Sequence, residues 1–229
     1  MDTTPHADLP RRMLAEFVGT AFLLAAVVGS GIMAEQLSDD VGLQLLENAF
    51  ATAGALVALI LAFQAASGAH FNPAVSLLDR LFGDMDSTEL AGYVAAQIAG
   101  GITGVITANL MFDLDPVEWS TKDRSAFHLV FAEGVATLGL LLVIHGVVRA
   151  GRPTLAAFSV GGYIAGAYWF TSSTSFANPA VTIARTFSDT FAGIEPASAP
   201  PFIAAQLIAT FVGAALIRVI FVKDDTAAA

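Results

Sequence analysis

Two copies of one tetrapeptide, Asn72-Pro73-Ala74-Val75 and Asn178-Pro179-Ala180-Val181, are the residues of this chain best placed to do chemistry. A carboxamide offers two N–H donors and an oxygen acceptor without carrying charge. A pair of them in an apolar chain suits hydrogen bonding to a neutral guest better than proton transfer. Groups for acid–base work exist in Glu16, Glu133, His70 and His145. No nucleophile–base spacing and no metal-ligand pair accompanies them, so we expect no enzyme, no metal and no cofactor. The chain has no cysteine, which removes disulfides, thiolate ligands and thiol catalysis together.

The order Asn then Pro has a structural meaning. Asparagine is a favoured helix N-cap, and proline suits the first helical position because its missing N–H would be unpaired there anyway. Asn72–Phe82 and Asn178–Phe187 therefore read as short helices, each about 15 Å long at 1.5 Å per residue, half of a bilayer core of about 30 Å. Neither crosses a membrane alone; end to end they do. Helices entering from opposite faces would bring their N-termini together near the centre, each with about half a positive charge from the macrodipole. Two such tips on one lumen repel a cation and leave a neutral molecule unaffected. The residues before each motif, Ser67–Phe71 and Thr174–Ala177, are expected to be extended and to turn carbonyls inward. Gly68, Ala69, His70, Phe176 and Ala177 would then line the passage with backbone.

The rest of the chain must hold these pieces at membrane depth. Of 229 residues, 55% are hydrophobic and 13% charged, with mean hydropathy +0.70, too apolar for a soluble core. The net charge of −10 argues against a nucleic-acid partner and leaves the lipid bilayer as the surroundings. Segments of spanning length fall at Met13–Ala34, Asn48–Ala66, Leu90–Phe112, Phe127–Val148, Thr154–Ser172 and Phe202–Val222. Arg11-Arg12 precede the first, but that run is too long for a signal h-region and contains Glu16, so it is expected to be retained.

The halves are copies. Ala15-Glu16-Phe17 answers Ala132-Glu133-Gly134, Phe71–Ser76 answers Ala177–Thr182, and Tyr93–Ile98 answers Phe202–Leu207. The expected organisation is a single transmembrane channel domain over 1–229, with a first repeat at 11–114 and a second at 125–223. Three spans per repeat is an odd number, so the second copy enters from the opposite side, giving an inverted 3+3 arrangement. Seven cations (Arg11, Arg12, Arg80, Arg149, Arg152, Arg218, Lys223) against three (Lys122, Arg124, Arg185) place both termini in the cytoplasm. The localisation this implies is the plasma (inner) membrane. Gly100 with Gly104 and Gly162 with Gly166 suit close helix packing.

These residues resemble the aquaporin, or major intrinsic protein, family. The match is carried by Ala15–Thr20, Ser67–Val75, Ala96-Gln97 and Ser175–Ala180. The resemblance implies an all-α membrane fold of six helices and two re-entrant half-helices, a pore in each protomer and a homotetramer. It also implies that Glu16 and Glu133 hold the re-entrant loops. In most of the family an arginine follows the second Asn-Pro-Ala and forms the narrowest constriction; here that place is Val181. The other filter positions look like Thr52, Gly166 and Ser175. Such an arginine-lacking filter resembles the bacterial subgroup associated with arsenic handling, whose expected solutes are polyols and neutral metalloid acids such as arsenous acid. Arg185 stands four residues beyond Val181, on the same helix face. We expect it to pair with Asp189 or reach the outer interface; the alternative is that it leans back toward the place Val181 occupies.

His70 is expected to be a satisfied structural histidine beside the pore and His145 an interhelical hydrogen-bond partner, while Tyr168 and Trp169 suit an interfacial aromatic belt. The function these observations favour is a passive channel for water, glycerol-like polyols and metalloid acids that excludes protons and ions. The alternatives are a water-selective channel and an ion-coupled or anion transporter. The transporter would need charged groups at the midplane, where this chain has asparagines.

Overall fold

The structure is a computed structural model that describes residues 8–221. Val222 and Lys223, the end of the sixth expected span and one of the expected cytoplasmic cations, lie outside the described residues. Eight α-helices form among those residues, in the order long, long, short, long, twice over. They are α1 (Leu9–Leu37), α2 (Val41–Ser67), α3 (Pro73–Phe82), α4 (Ser87–Met111), α5 (Phe127–Arg149), α6 (Ala156–Phe170), α7 (Pro179–Ala184) and α8 (Ala199–Ile220). Helices α3 and α7 are the two half-helices, and the other six are the spans.

Local chemistry sets the ends. Asp40 caps α2 by accepting from Leu43 N at 3.0 Å. Asp86 and Glu89 form a reciprocal capping box at the start of α4. Gly68 ends α2 and Gly83 ends α3, both in the left-handed region at φ +88° and +86°, where glycine carries no Cβ penalty. Among the described residues five helices are long and apolar enough to cross a membrane. Helix α6 has 15 residues, about 22 Å, and a 3-10 turn at Pro153–Leu155 extends it toward 28 Å. Thr171 and Ser172, expected inside the fifth span, fall outside the helix. Thr171 is extended (φ −108°, ψ 134°) because the chain there turns back into the protein.

Many large apolar side chains are exposed, among them Phe22, Phe50, Phe131 and Phe211, whereas Glu16, Gln97, Glu133 and Gln206 are fully buried. That is the pattern of a protein whose outer solvent is hydrocarbon. Helix α1 packs on α4 through glycine. A Cβ on Gly100 would stand 2.2 Å from the Phe17 carbonyl oxygen, and one on Gly104 2.1 Å from that of Ala21. Gly162 and Gly166 differ from this expectation: a Cβ on either meets nothing within 4 Å among the described residues.

With six spans, Leu9 and Ile220 end on one face, called here the first face. The long loops 112–126 and 188–198 lie on the second face. There Ser120 N donates to Thr186 O at 3.0 Å, and Thr121 N donates to the Asp189 carboxylate at 2.8 Å. That backbone bond, helped by the Thr121 and Ser120 hydroxyls, holds Asp189 below the usual carboxylate range. Burial lowers Lys122 from its ordinary value in the same loop.

Candidate pore and selectivity site

The two half-helices meet tip to tip. Asn72 Oδ1 caps α3 by accepting from Ala74 N at 2.9 Å, and Asn178 Oδ1 caps α7 from Ala180 N at 3.0 Å and Val181 N at 3.2 Å. Each amide then crosses to the opposite loop. Asn72 Nδ2 donates to Ala177 O at 2.8 Å, and Asn178 Nδ2 donates to Phe71 O at 2.7 Å. An amide has two N–H groups, so each asparagine keeps one with no protein partner among the described residues. Pro73, Ala74, Pro179 and Ala180 are buried in the first turns behind them.

Two buried carboxyl groups hang the loops from the long helices. Glu16 on α1 accepts from His70 N at 3.0 Å, Phe71 N at 2.7 Å, the Ser67 hydroxyl at 2.6 Å and Gln97 Nε2 at 2.8 Å. Glu133 on α5 accepts from Phe176 N at 2.8 Å, Ala177 N at 2.8 Å and Gln206 Nε2 at 2.7 Å. The same two loop positions, one and two residues before the asparagine, are held in both halves.

The loops are not extended as expected. Gly68, Ala69 and Phe71 have φ of +88°, +52° and +50°, and Thr174, Ser175 and Ala177 have +65°, +55° and +47°. These are the fourth, third and first residues before each asparagine. For a non-glycine residue this conformation costs about 1–2 kcal/mol. The carboxyl groups and crossed amides supply the bonds that offset it.

One cavity of about 500 Å³ is lined by both asparagines and by Gly68, Ala69, His70 and Phe176; Ala177, expected beside them, does not line it, being fully buried with its N–H on Glu133 and its carbonyl on Asn72. The cavity runs from Asp84 and Arg149 at the first face to Tyr168 and Arg185 toward the second. Apolar residues make up much of the remaining wall, with Leu56, Ile60, Leu140, Val160, Ile164 and Val181 among them. A polar stripe of amides and carbonyls on an apolar wall lets a solute exchange water for protein bonds without being held on every side. His70 borders this stripe with both ring nitrogens engaged, Nδ1 with Ser76 Oγ at 3.0 Å and Nε2 with Asp79 at 3.1 Å. His145 stacks on Phe82 at 4.6 Å between ring centroids, and among the described residues no hydrogen bond reaches its ring, unlike the expected interhelical bond.

The expected filter residues do not all meet. Thr52, Ser175 and Val181 are buried and line the cavity. Gly166 does not; it is exposed on the outer side of α6. The residue α6 sends inward at this level is Tyr168, 4% exposed, whose hydroxyl donates to Thr52 Oγ1 at 3.1 Å. Tyr168 therefore leaves the aromatic belt to Trp169, which is 52% exposed. Gly166 and Tyr168 are two residues apart, about 200° around a helix, so a two-residue misassignment exchanges lipid face for lumen.

Arg185 also departs from expectation. It is 3% exposed, lines the cavity, donates from Nε to Ala192 O and stacks on Phe176, its guanidinium carbon 3.4 Å from the ring centroid. Asp189 is engaged by Thr121 and Ser120 instead.

Six spans and two half-helices that share a passage define a polytopic membrane channel. The profile of the family described as major intrinsic protein matches residues 4–169, and the chain belongs to that family. Aquaglyceroporin AqpS of Rhizobium meliloti (strain 1021) is 49% identical over 211 residues, covering 92% of this chain and 90% of that protein. The probable aquaporin TIP-type alpha of Phaseolus vulgaris is 31% identical over 150 residues, 63% of this chain and 59% of its own. Among solved structures, the aquaglyceroporin from Plasmodium falciparum superposes with a TM-score of 0.76 at 22% identity, covering 93% of this chain and 97% of its own. At that identity the likeness bears on the fold alone.

Proposed function

We propose that this protein is a passive channel for small uncharged hydroxylic solutes, with water, glycerol-like polyols and arsenous acid in its range, and that it excludes protons and ions. The observation that carries the proposal is the single cavity bounded by both motif asparagines, each capping a helix start and each with one amide N–H to spare. A neutral oxygen passing the centre gains those donors, while a cation meets two partial positive ends. The name of the Rhizobium relative supports a solute larger than water. A valine where an arginine usually follows the second motif supports a wide filter, and arsenous acid presents hydroxyls much as glycerol does.

In this reading Thr52, Ser175, Val181 and Tyr168 form the filter, and Gly68, Ala69, His70 and Phe176 supply the loop backbone along the passage. The chain is one channel domain of two repeats, 11–114 and 125–223, with the first face cytoplasmic in a plasma (inner) membrane. The lipid-facing apolar helices leave room for a homotetramer in which each protomer keeps its own pore.

Val181→Arg tests the filter. It adds bulk, charge and donors to the cavity wall toward the second face. In proteoliposomes, stopped-flow permeability to glycerol and arsenous acid should fall on the order of tenfold while water changes by about twofold. Equal loss for all three solutes would remove Val181 as a determinant.

A further inference from the structure

We infer that Arg185 is the specificity-determining cation of the second-face mouth, filling from one helical turn farther out the post that Val181 leaves without charge; this rests on the channel reading above. Helix α7 runs from the centre toward the second face, so Arg185 begins about 6 Å beyond Val181, and helical side chains lean back toward the N-terminus. The guanidinium is clamped, not loose. Its Nε is used on Ala192 O, and its plane lies against Phe176 at 3.4 Å. Arg124 holds the same ring at 5.1 Å while its own Nε donates to Gly193 O at 3.0 Å. Phe176 is thus fixed between two guanidinium groups and edge-on to Phe202, whose centroid is 5.4 Å away.

Two features make this more than a structural pin. Among the described residues no carboxylate forms an ion pair with Arg185, although the side chain is buried. A buried cation with no carboxylate in contact keeps most of its field, and this one lines the lumen. With Nε occupied, the two terminal amino groups have no protein partner among the described residues, and the side chain lines the same cavity as the bonded Thr52–Tyr168 pair. A planar fork of N–H donors recognises two oxygens at once. The ligand class it suits is a small solute with neighbouring hydroxyls, and the class it rejects is a small cation.

The test uses the full chain in proteoliposomes, with glycerol as the neutral probe and methylammonium as the cationic one. Arg185→Leu should raise the methylammonium-to-glycerol permeability ratio by about tenfold or more, leaving as a barrier the partial charges of the helix tips and Arg124, which does not line the cavity. Arg185→Lys should stay within about twofold of wild type, since the charge persists. Adding Val181→Arg to Arg185→Leu should restore exclusion, read for this pair as methylammonium against water because the new arginine lowers glycerol flow by itself; a merely structural pin on Ala192 would not do this. If the leucine variant fails to fold, Arg185→Gln retains a donor for Ala192 O without the charge and decides the matter by the same ratio. An unchanged ratio in the neutral variants, with glycerol flow intact, overturns the inference alone, as does a raised ratio that Val181→Arg does not reverse. Absence of glycerol flow in wild type overturns the channel reading, and this inference with it.

Discussion

Glu133→Leu is expected to abolish solute flux and most of the folded protein with it. The carboxyl is fully buried and accepts from two successive backbone N–H groups and from Gln206. Leucine fits the volume and accepts nothing. Three buried donors would lose their partner at about 1–3 kcal/mol each, so a loss of about 3–6 kcal/mol is expected even after partial relaxation. That is a large share of the roughly 5–15 kcal/mol that holds a typical domain together. The cost falls on the segment least able to absorb it, because Ser175 and Ala177 are already left-handed. Glu16→Leu should behave alike, since Glu16 holds His70 and Phe71 in the first loop. Glutamine at either place keeps one oxygen acceptor and should lie between. Thermal unfolding in detergent, with glycerol flux measured beside it, is the check. A leucine variant that melts with wild type and still conducts would show that the loops do not hang from these carboxyl groups.

The second large effect belongs to the α1–α4 seam. Alanine at Gly100 or Gly104 drives a methyl group to within 2.2 Å or 2.1 Å of a carbonyl oxygen of α1, and a backbone atom does not rotate away. Overpacking usually costs about 1–3 kcal/mol, and each substitution should sit at the upper end of that range. The double variant should separate the two helices that carry Glu16 and Gln97. Since those residues bond each other at 2.8 Å and both support the first loop, flux should fall with stability. Gly54 supplies the contrast. A Cβ there meets nothing within 4 Å, so Gly54→Ala should be neutral or gain a few tenths of a kcal/mol from helix propensity. Similar losses at Gly54 and Gly104 would mean that the α1–α4 seam is not what makes the substitution costly, since helix propensity favours alanine at both places.

Much of this architecture could be read from residue types. The paired Asn-Pro starts, the two carboxyl groups a fixed distance into matching spans and the Gly100–Gly104 spacing each carry a local physical signature. The phase of α6 does not. Ala156–Phe170 is apolar nearly all round, so nothing along the helix separates the lumen side from the lipid side, and Tyr168 looks the same in either place. The signal that finds it lies in the repeat. Thr52, Leu56, Ile60 and Gln64 of α2 line the passage, and one constant offset carries them onto Ala156, Val160, Ile164 and Tyr168, which line it too. The left-handed loop residues were illegible for a different reason. Alanine, phenylalanine and threonine disfavour that backbone, and only contacts far along the chain impose it. Arg185 is similar: its place depends on the 190–194 loop folding back so that Ala192 offers a carbonyl.

The crossed asparagines have a mechanical consequence. Phe71 O is satisfied by the second half of the chain and Ala177 O by the first, so neither half completes its own turn. Pinching the waist shut would mean unfastening both clasps and the backbone bonds suspended from the two carboxyl groups together. The narrow middle therefore behaves as a fixed aperture, and any control over traffic must be exerted at the rims.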